Sequence, residues 1–437
     1  MLSIKSVRAV RQWVRHRRTP TADSLGTAAP ATPSRVGAGT GIPQKVYPPH
    51  WPVVSSTEGP RVGGRDMTWK LGQSADGAVE LPFRDHPHAV VIGPTGSGHS
   101  IFVRSAAIEP TRAAGGIVLL GDGLGFGYVA YRDAPGVVAV GGGGGYAGRG
   151  MSYFAVVEIA HRIMTSRLTF AADNENRAGR ERPQDDFPPV LLVLDELKMM
   201  RQVWRECALG IDEKQHLQGR IDEIATRGGE AGVSMLMVTP DLYDASIRSF
   251  WLENTSLRVF LSKPSKLDVA KGFERDFRAE ALRLAATFDD TVRGRGIVAA
   301  YSNHSDTTVI TEVQGYYGYS PDYPFPADAE GRRQWEGFKA AVSDRVPRLY
   351  PRVWFRLDQP SQRQREMERQ PGVKPLGFID FELFTPSEIS QLELVNLDRE
   401  DHTGTWEPDP AMVRYDPHPH NERYIGRVPQ MLPQASR

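Results

Sequence analysis

The sequence predicts an α/β fold built on a mainly parallel, doubly wound sheet. Three observations predict it. An apolar run, His88-Ala89-Val90-Val91-Ile92, passes straight into a glycine-rich loop and then a helix-compatible stretch from Ile101 to Ile108. A second apolar run, Val190 to Leu194, ends in Asp195-Glu196. Around both, short apolar runs alternate with stretches of helical periodicity, the pattern of βαβ units.

The loop reads Gly93-Pro94-Thr95-Gly96-Ser97-Gly98-His99-Ser100. Strand, glycine loop and helix, in that order, are the context of a phosphate-binding loop. Glycines let backbone N–H groups turn inward around an anion, and a helix N-terminus adds a favourable dipole. Residues 93–100 are therefore the candidate ATP-binding cradle, and Ser100 stands where a hydroxyl holds Mg²⁺. The pattern G-x-x-x-x-G-K-[ST] asks for lysine where this chain has His99. A glycine turn joining strand to helix without a ligand is the alternative.

After the loop helix, Gly116 to Leu120 reads as a buried strand. Val137 to Val140 is another, followed by the glycine run Gly141–Gly145. Residues 151–171 carry a helical pattern with Phe154, Val157, Met164 and Leu168 near one face and His161, Arg162 and Arg167 elsewhere. Asp173–Asp186 is polar and reads as an exposed loop. Val190 to Leu194 then predicts a central parallel strand with two carboxylates at its C-terminal end. Ligands of open α/β sheets bind at that edge. There Asp195 is suited to hold Mg²⁺ and Glu196 to polarise an attacking water; a helix-capping acid pair is the alternative. Residues 211–228 predict a helix with Leu217, Ile221, Ile224 and Ala225 on one face. Val233–Thr239, Leu257–Leu261, Gly296–Ala300 and Thr307–Ile310 predict further strands.

Composition bounds the rest. The chain has 437 residues, 40% of them hydrophobic, a formal net charge of zero and one cysteine, Cys207. Zero net charge excludes a chain that binds nucleic acid by its overall field, so any such contact must be local. A lone cysteine excludes a disulfide framework and a cysteine zinc site, and fits a cytoplasmic location. No apolar run reaches the roughly 18 residues of a membrane span.

Residues 1–18 hold Lys5, Arg8, Arg11, Arg15, Arg17 and Arg18 beside Ile4, Val7, Val10, Trp13 and Val14 at helical spacing. This basic arm suits a membrane surface, a nucleic-acid backbone or a protein partner, or is a solvated terminus. A Pro-, Ala- and Gly-rich stretch at 19–58 reads as a flexible linker. The expected organisation is an arm and linker at 1–58, an ATPase domain at 59–317 and an irregular C-terminal extension at 318–437. In that extension, residues 329–343 and 361–369 read as helical, and Thr385-Pro386-Ser387-Glu388 reads as the start of a short helix through Leu394. His418-Pro419-His420 reads as loop rather than a metal site.

Together, the loop, Gly116 to Asp122 as the next strand, Val190 to Leu197, and the step Arg227–Gly232 into Val233–Thr239 resemble the FtsK/SpoIIIE/HerA motor ATPases. The resemblance covers roughly residues 60–317. It implies a RecA-like P-loop domain, ATP and Mg²⁺ as cofactors, double-stranded DNA as partner and a hexameric ring. Carried over, it places residues 93–100 on the triphosphate, Ser100 and Asp195 on the metal, Glu196 on the water and Thr239 in the sensor strand. A neighbouring copy's arginine would complete the site, with Arg227 or Arg258 the candidate. His99 for lysine, Pro240 for the sensor glutamine and Gly229 for an arginine depart from the family pattern.

Overall fold

In the computed structural model the described residues are 41–48, 67–125, 127–142, 150–178, 187–207, 209–243, 247–289, 292–301, 308–318, 328–341, 348–402, 406–409 and 427–429. The basic arm at 1–18, most of the stretch read as a linker, Gly143 to Gly145 and His418-Pro419-His420 lie outside them.

Among the described residues, one ten-stranded sheet carries the architecture. It comprises β1 (Thr68–Ser74), β2 (Gly77–Pro82), β3 (His88–Ile92), β4 (Ile117–Asp122), β5 (Val137–Gly141), β6 (Val190–Asp195), β7 (Val233–Thr239), β8 (Leu257–Leu261), β9 (Arg295–Tyr301) and β10 (Thr308–Gln314). Their order is β2-β1-β10-β9-β8-β3-β7-β6-β4-β5. Every pairing from β8 across to β5 is parallel. Every pairing from β8 across to β2 is antiparallel. The glycine-loop strand β3 and the Asp-Glu strand β6 thus flank β7, with all their C-terminal ends on one edge.

Strands β3, β5, β6 and β7 are buried along their whole length. That is why their sequences run continuously apolar rather than alternating. Successive side chains still alternate between two cores: Val90, Ile92, Leu192 and Leu194 enter one, Ala89, Val91, Leu191 and Val193 the other. The helices Met151–Ala178 and Ile211–Arg227 close the first face. The second buries Leu217, Ile221, Ile224 and Ala225, the apolar stripe read from the sequence. The opposite face is closed by the helical run from His99 to Ala113, interrupted by a π-helical turn at Arg104–Ile108.

The long helix reaches Ala178, so the first residues of the stretch read as the polar loop Asp173–Asp186 are helical. Once packing has nucleated a long helix, each further exposed turn propagates at little cost. The hairpin β1–β2 precedes the loop strand and was not expected. Its turn at Ala75-Asp76, followed by Gly77 at φ +124°, carries the local signal.

Two stretches outside the expected ATPase span pack onto this core. Ile42 is buried, and Arg295 donates to the Ile42 and Pro43 carbonyls at 3.1 Å each. Further along, Trp354, Phe355, Phe381 and Phe384 join the core on the long-helix side. Glu382 accepts the backbone N–H groups of Met151 and Ser152 and the Ser152 hydroxyl, capping the start of that helix. The expected helices in this region form at Ala329–Ala341 and Gln362–Glu368, whereas the one expected through Leu394 is capped by a Thr385–Glu388 capping box but stops at Ile389, and Leu394–Asn396 is extended.

Candidate functional site

The loop takes its shape from glycine. Gly96 and Gly98 sit at φ +94° and +95°, a region side chains disfavour. Gly93 N–H donates to the Thr239 carbonyl at 3.1 Å, tying the loop's first residue to the end of β7. At the other end, Gly294 N–H donates to the Ser97 carbonyl at 2.8 Å. Phe102 N–H to Gly98 carbonyl, 2.9 Å, begins the helix.

Inside this frame two buried polar atoms have no partner among the described residues: the Ser97 hydroxyl oxygen and Nδ1 of His99. Buried polar atoms are ordinarily satisfied, so both fit a ligand with hydrogen-bonding groups. His99 Nε2 lies 3.8 Å from Glu196 Oε1. The loop and the Asp195-Glu196 end of β6 therefore meet, although β7 separates their strands.

Asp195 is buried and both its oxygens are engaged. Oδ1 accepts Glu196 N–H at 2.9 Å and Oδ2 accepts the Tyr128 hydroxyl at 2.9 Å. Tyr153 donates to the Asp195 carbonyl at 3.1 Å. Glu196 itself has φ 54°, a left-handed conformation that is strained for a non-glycine residue. A side chain on Gly123 would meet Glu196 Cβ at 2.8 Å, so a glycine there lets the ends of β4 and β6 approach.

A third carboxylate, Asp122, was not among the expected site residues. It ends β4 directly beside Asp195 in the sheet register. Its oxygens accept the N–H groups of Leu124, Gly125 and Tyr128 at 3.1, 2.9 and 3.1 Å. Burial, reinforced by the neighbouring Asp195 charge, still pushes its carboxyl up to about 6. The signal was Gly121-Asp122-Gly123, an acid at the C-terminal end of a buried parallel strand, like Asp195. Burial and Asp195 likewise raise the Tyr128 and Tyr153 hydroxyls well above the ordinary tyrosine value.

The remaining expected residues divide. Ser100 sits in the first turn of the loop helix, half-buried. Thr239 is buried; its carbonyl holds Gly93 and its hydroxyl donates to the Asp241 carbonyl at 3.0 Å, so it anchors the loop's base. Arg227 is exposed at the end of a helix that leads into the N-terminal end of β7, the sheet edge opposite the loop. Within one chain it does not meet the site. Arg258 is committed internally, donating to the Gly272 and Leu252 carbonyls at 2.9 Å each and lying over the Tyr301 ring.

These residues fit a magnesium nucleotide. Mg²⁺ keeps waters and takes one or two protein oxygens plus substrate phosphates, which Ser100 and Asp195 can supply. Among the described residues no helix is long and apolar enough to cross a membrane.

No family model matches the sequence, and no curated protein matches it. Among solved structures, the chain is similar to the pCW3 conjugation coupling protein TcpA in its monomer form with ATPγS. Identity is 15%, 63% of this chain and 70% of that one are covered, and the TM-score is 0.43. It is similar to the cytoplasmic domain of the type VII secretion ATPase EccC from Thermomonospora curvata, at 16% identity and TM-score 0.48, covering 77% of this chain and 40% of that one. It is similar to the genome packaging NTPase B204 from Sulfolobus turreted icosahedral virus 2 in complex with ATPγS, at 15% identity and TM-score 0.33, covering 53% and 98%. The chain's own strand order, with a glycine loop leaving β3 and an Asp-Glu pair ending β6 one strand away, is that of a RecA-like P-loop ATPase fold.

Proposed function

We propose that this chain binds ATP with Mg²⁺ at residues 93–100 and works as an FtsK/SpoIIIE-like motor on double-stranded DNA. One observation carries the reading: His99 and Glu196 meet at 3.8 Å, so the loop and the carboxylate pair form a single site. The loop amides and the Ser97 hydroxyl hold the phosphates. The Ser100 hydroxyl and Asp195 hold the metal, which when bound neutralises charge on the transferred phosphoryl group. Glu196 orients and polarises the attacking water. An arginine from a neighbouring copy completes such a site in a ring. Arg227, exposed and remote from its own loop, is the candidate; Arg258 is not, because its guanidinium is used within the chain.

A second reading is a nucleotide-binding but weakly hydrolysing subunit that partners an active motor. The engagement of both Asp195 oxygens by Tyr128 and Glu196, together with histidine at position 99, favours it. The ATPase rate of the purified protein with and without double-stranded DNA separates the two. Stimulation by DNA, lost in Arg227→Ala with nucleotide binding kept, supports the motor. Binding without stimulated turnover supports the partner subunit. Sedimentation with ATP and DNA showing only monomer at micromolar concentration counts against a ring.

A further inference from the structure

Position 99 lacks the cation that a phosphate-binding loop normally places there, and the structure brings another cation to the loop's rim. Arg293 lies in the turn that leads into β9. Its Cβ is 3.8 Å from where a side chain on Gly98 would begin. The turn is clamped from both sides. Gly294 N–H donates to the Ser97 carbonyl at 2.8 Å, and Gln314 donates from Nε2 to the Arg293 carbonyl at 2.8 Å. Gly315 N–H donates to the Gly294 carbonyl at 2.9 Å, and Arg295 Nε holds Gln314 Oε1 at 3.0 Å. Gly294 makes the approach possible: it sits at φ +77°, and a side chain there would meet Gln314 at 3.1 Å.

The backbone of Arg293 is thus fixed against the loop while its side chain is exposed. With the described residues its guanidinium forms no hydrogen bond or ion pair. The neighbouring Arg295 behaves differently: it is buried on Glu312, Gln314 and the Ile42 carbonyl. A long planar fork of donors, free at the tip and held at the base, suits phosphate oxygens.

We propose that Arg293 is the phosphate-contacting cation of this site, supplying in the same chain the charge that His99 does not. This rests on the nucleotide reading above. Gly98 adjoins position 99, whose side chain in such loops addresses the β- and γ-phosphates. Arg293 therefore acts on the same end of the triphosphate and discriminates ATP from ADP.

The test uses the full chain with Mg²⁺ and measures dissociation constants for ATPγS and for ADP, alongside hydrolysis of ATP. Arg293→Ala is expected to weaken ATPγS by about tenfold or more, the scale of a charge-assisted contact, and ADP by less. Arg293→Lys is expected to fall between. His99→Lys placed on Arg293→Ala is expected to restore ATPγS binding, a rescue that a purely structural role would not give. An unchanged melting temperature for Arg293→Ala confirms that the fold is intact. If wild type binds ATPγS and Arg293→Ala binds it equally well, Arg293 has no such role and the nucleotide reading stands. If wild type binds nothing and His99→Lys restores binding, Arg293 does not replace the lysine. If neither binds at millimolar nucleotide, the nucleotide reading fails and this inference falls with it.

Discussion

His99 Nε2 stands 3.8 Å from Glu196 Oε1, so the residue that departs from the phosphate-loop pattern faces the one that would activate water. Lysine at that position would bring a permanent point charge on a longer stem. Such a charge matters most as charge develops in the transition state. His99→Lys is therefore expected to raise the hydrolysis rate by on the order of ten- to a hundredfold, with a smaller change in ATP affinity. Phosphate release and nucleotide titration measure the two separately.

Glu196 combines a chemical role with a strained backbone at φ 54°. Glu196→Gln keeps the shape and removes the base, so hydrolysis should vanish while ATP binding stays. Glu196→Gly removes the base as well but relieves the left-handed strain, which costs a non-glycine residue about 1–2 kcal/mol. The glycine variant should melt at a higher temperature than the glutamine variant, while both are inactive. Equal melting temperatures would mean that the backbone at 196 relaxes elsewhere.

Legibility followed the physics of each element. The strands β3, β6 and β7 were readable because parallel strands buried on both faces must be apolar throughout. The loop was readable because phosphate cradles need glycine at fixed steps, and Gly96 and Gly98 both take positive φ. Asp122 left only the local signal of an acid ending a buried strand, since its place beside Asp195 is set by sheet register, and Arg293 left none, since it nears the loop only through the turn into β9. The burial of Trp354, Phe355, Phe381 and Phe384 was also hidden, because these aromatics are scattered among prolines and charges with no helix or strand period.

Asp122 gives the site a pH signature. Its folded-state carboxyl is raised from 3.8 to about 6. Between those values the unfolded chain has lost its proton and the folded one keeps it, so this group makes stability fall as pH rises from about 4 to about 6. His88, held neutral by burial down to about 4, acts in the opposite direction over much of the same range. The whole-protein curve therefore mixes both, and the difference between wild type and Asp122→Asn isolates the first. Denaturant melts at pH 4 to 7 should show the variant gaining on wild type as pH rises across that interval. A constant difference would show that Asp122 ionises as readily folded as unfolded.

Tyr128 decides how available Asp195 is. Its hydroxyl occupies Asp195 Oδ2 at 2.9 Å, and Glu196 N–H occupies Oδ1 at 2.9 Å. Each carboxylate oxygen has two lone pairs, so a metal held by Asp195, directly or through water, shares its oxygen with one of these bonds. The Glu196 bond is part of the turn itself, whereas the Tyr128 hydroxyl can be removed without touching the backbone. Tyr128→Phe should cost roughly 1–3 kcal/mol of stability without Mg²⁺, the scale of leaving a buried acceptor unpaired. Added Mg²⁺ and ATPγS should recover more stability in the variant than in wild type, and half-saturation of any ATPase activity should need less Mg²⁺. If Tyr128→Phe loses stability but its response to Mg²⁺ matches wild type, the metal does not use Oδ2. Tyr128 is then a structural strut on Asp195, and any slow turnover has to be traced to position 99 instead.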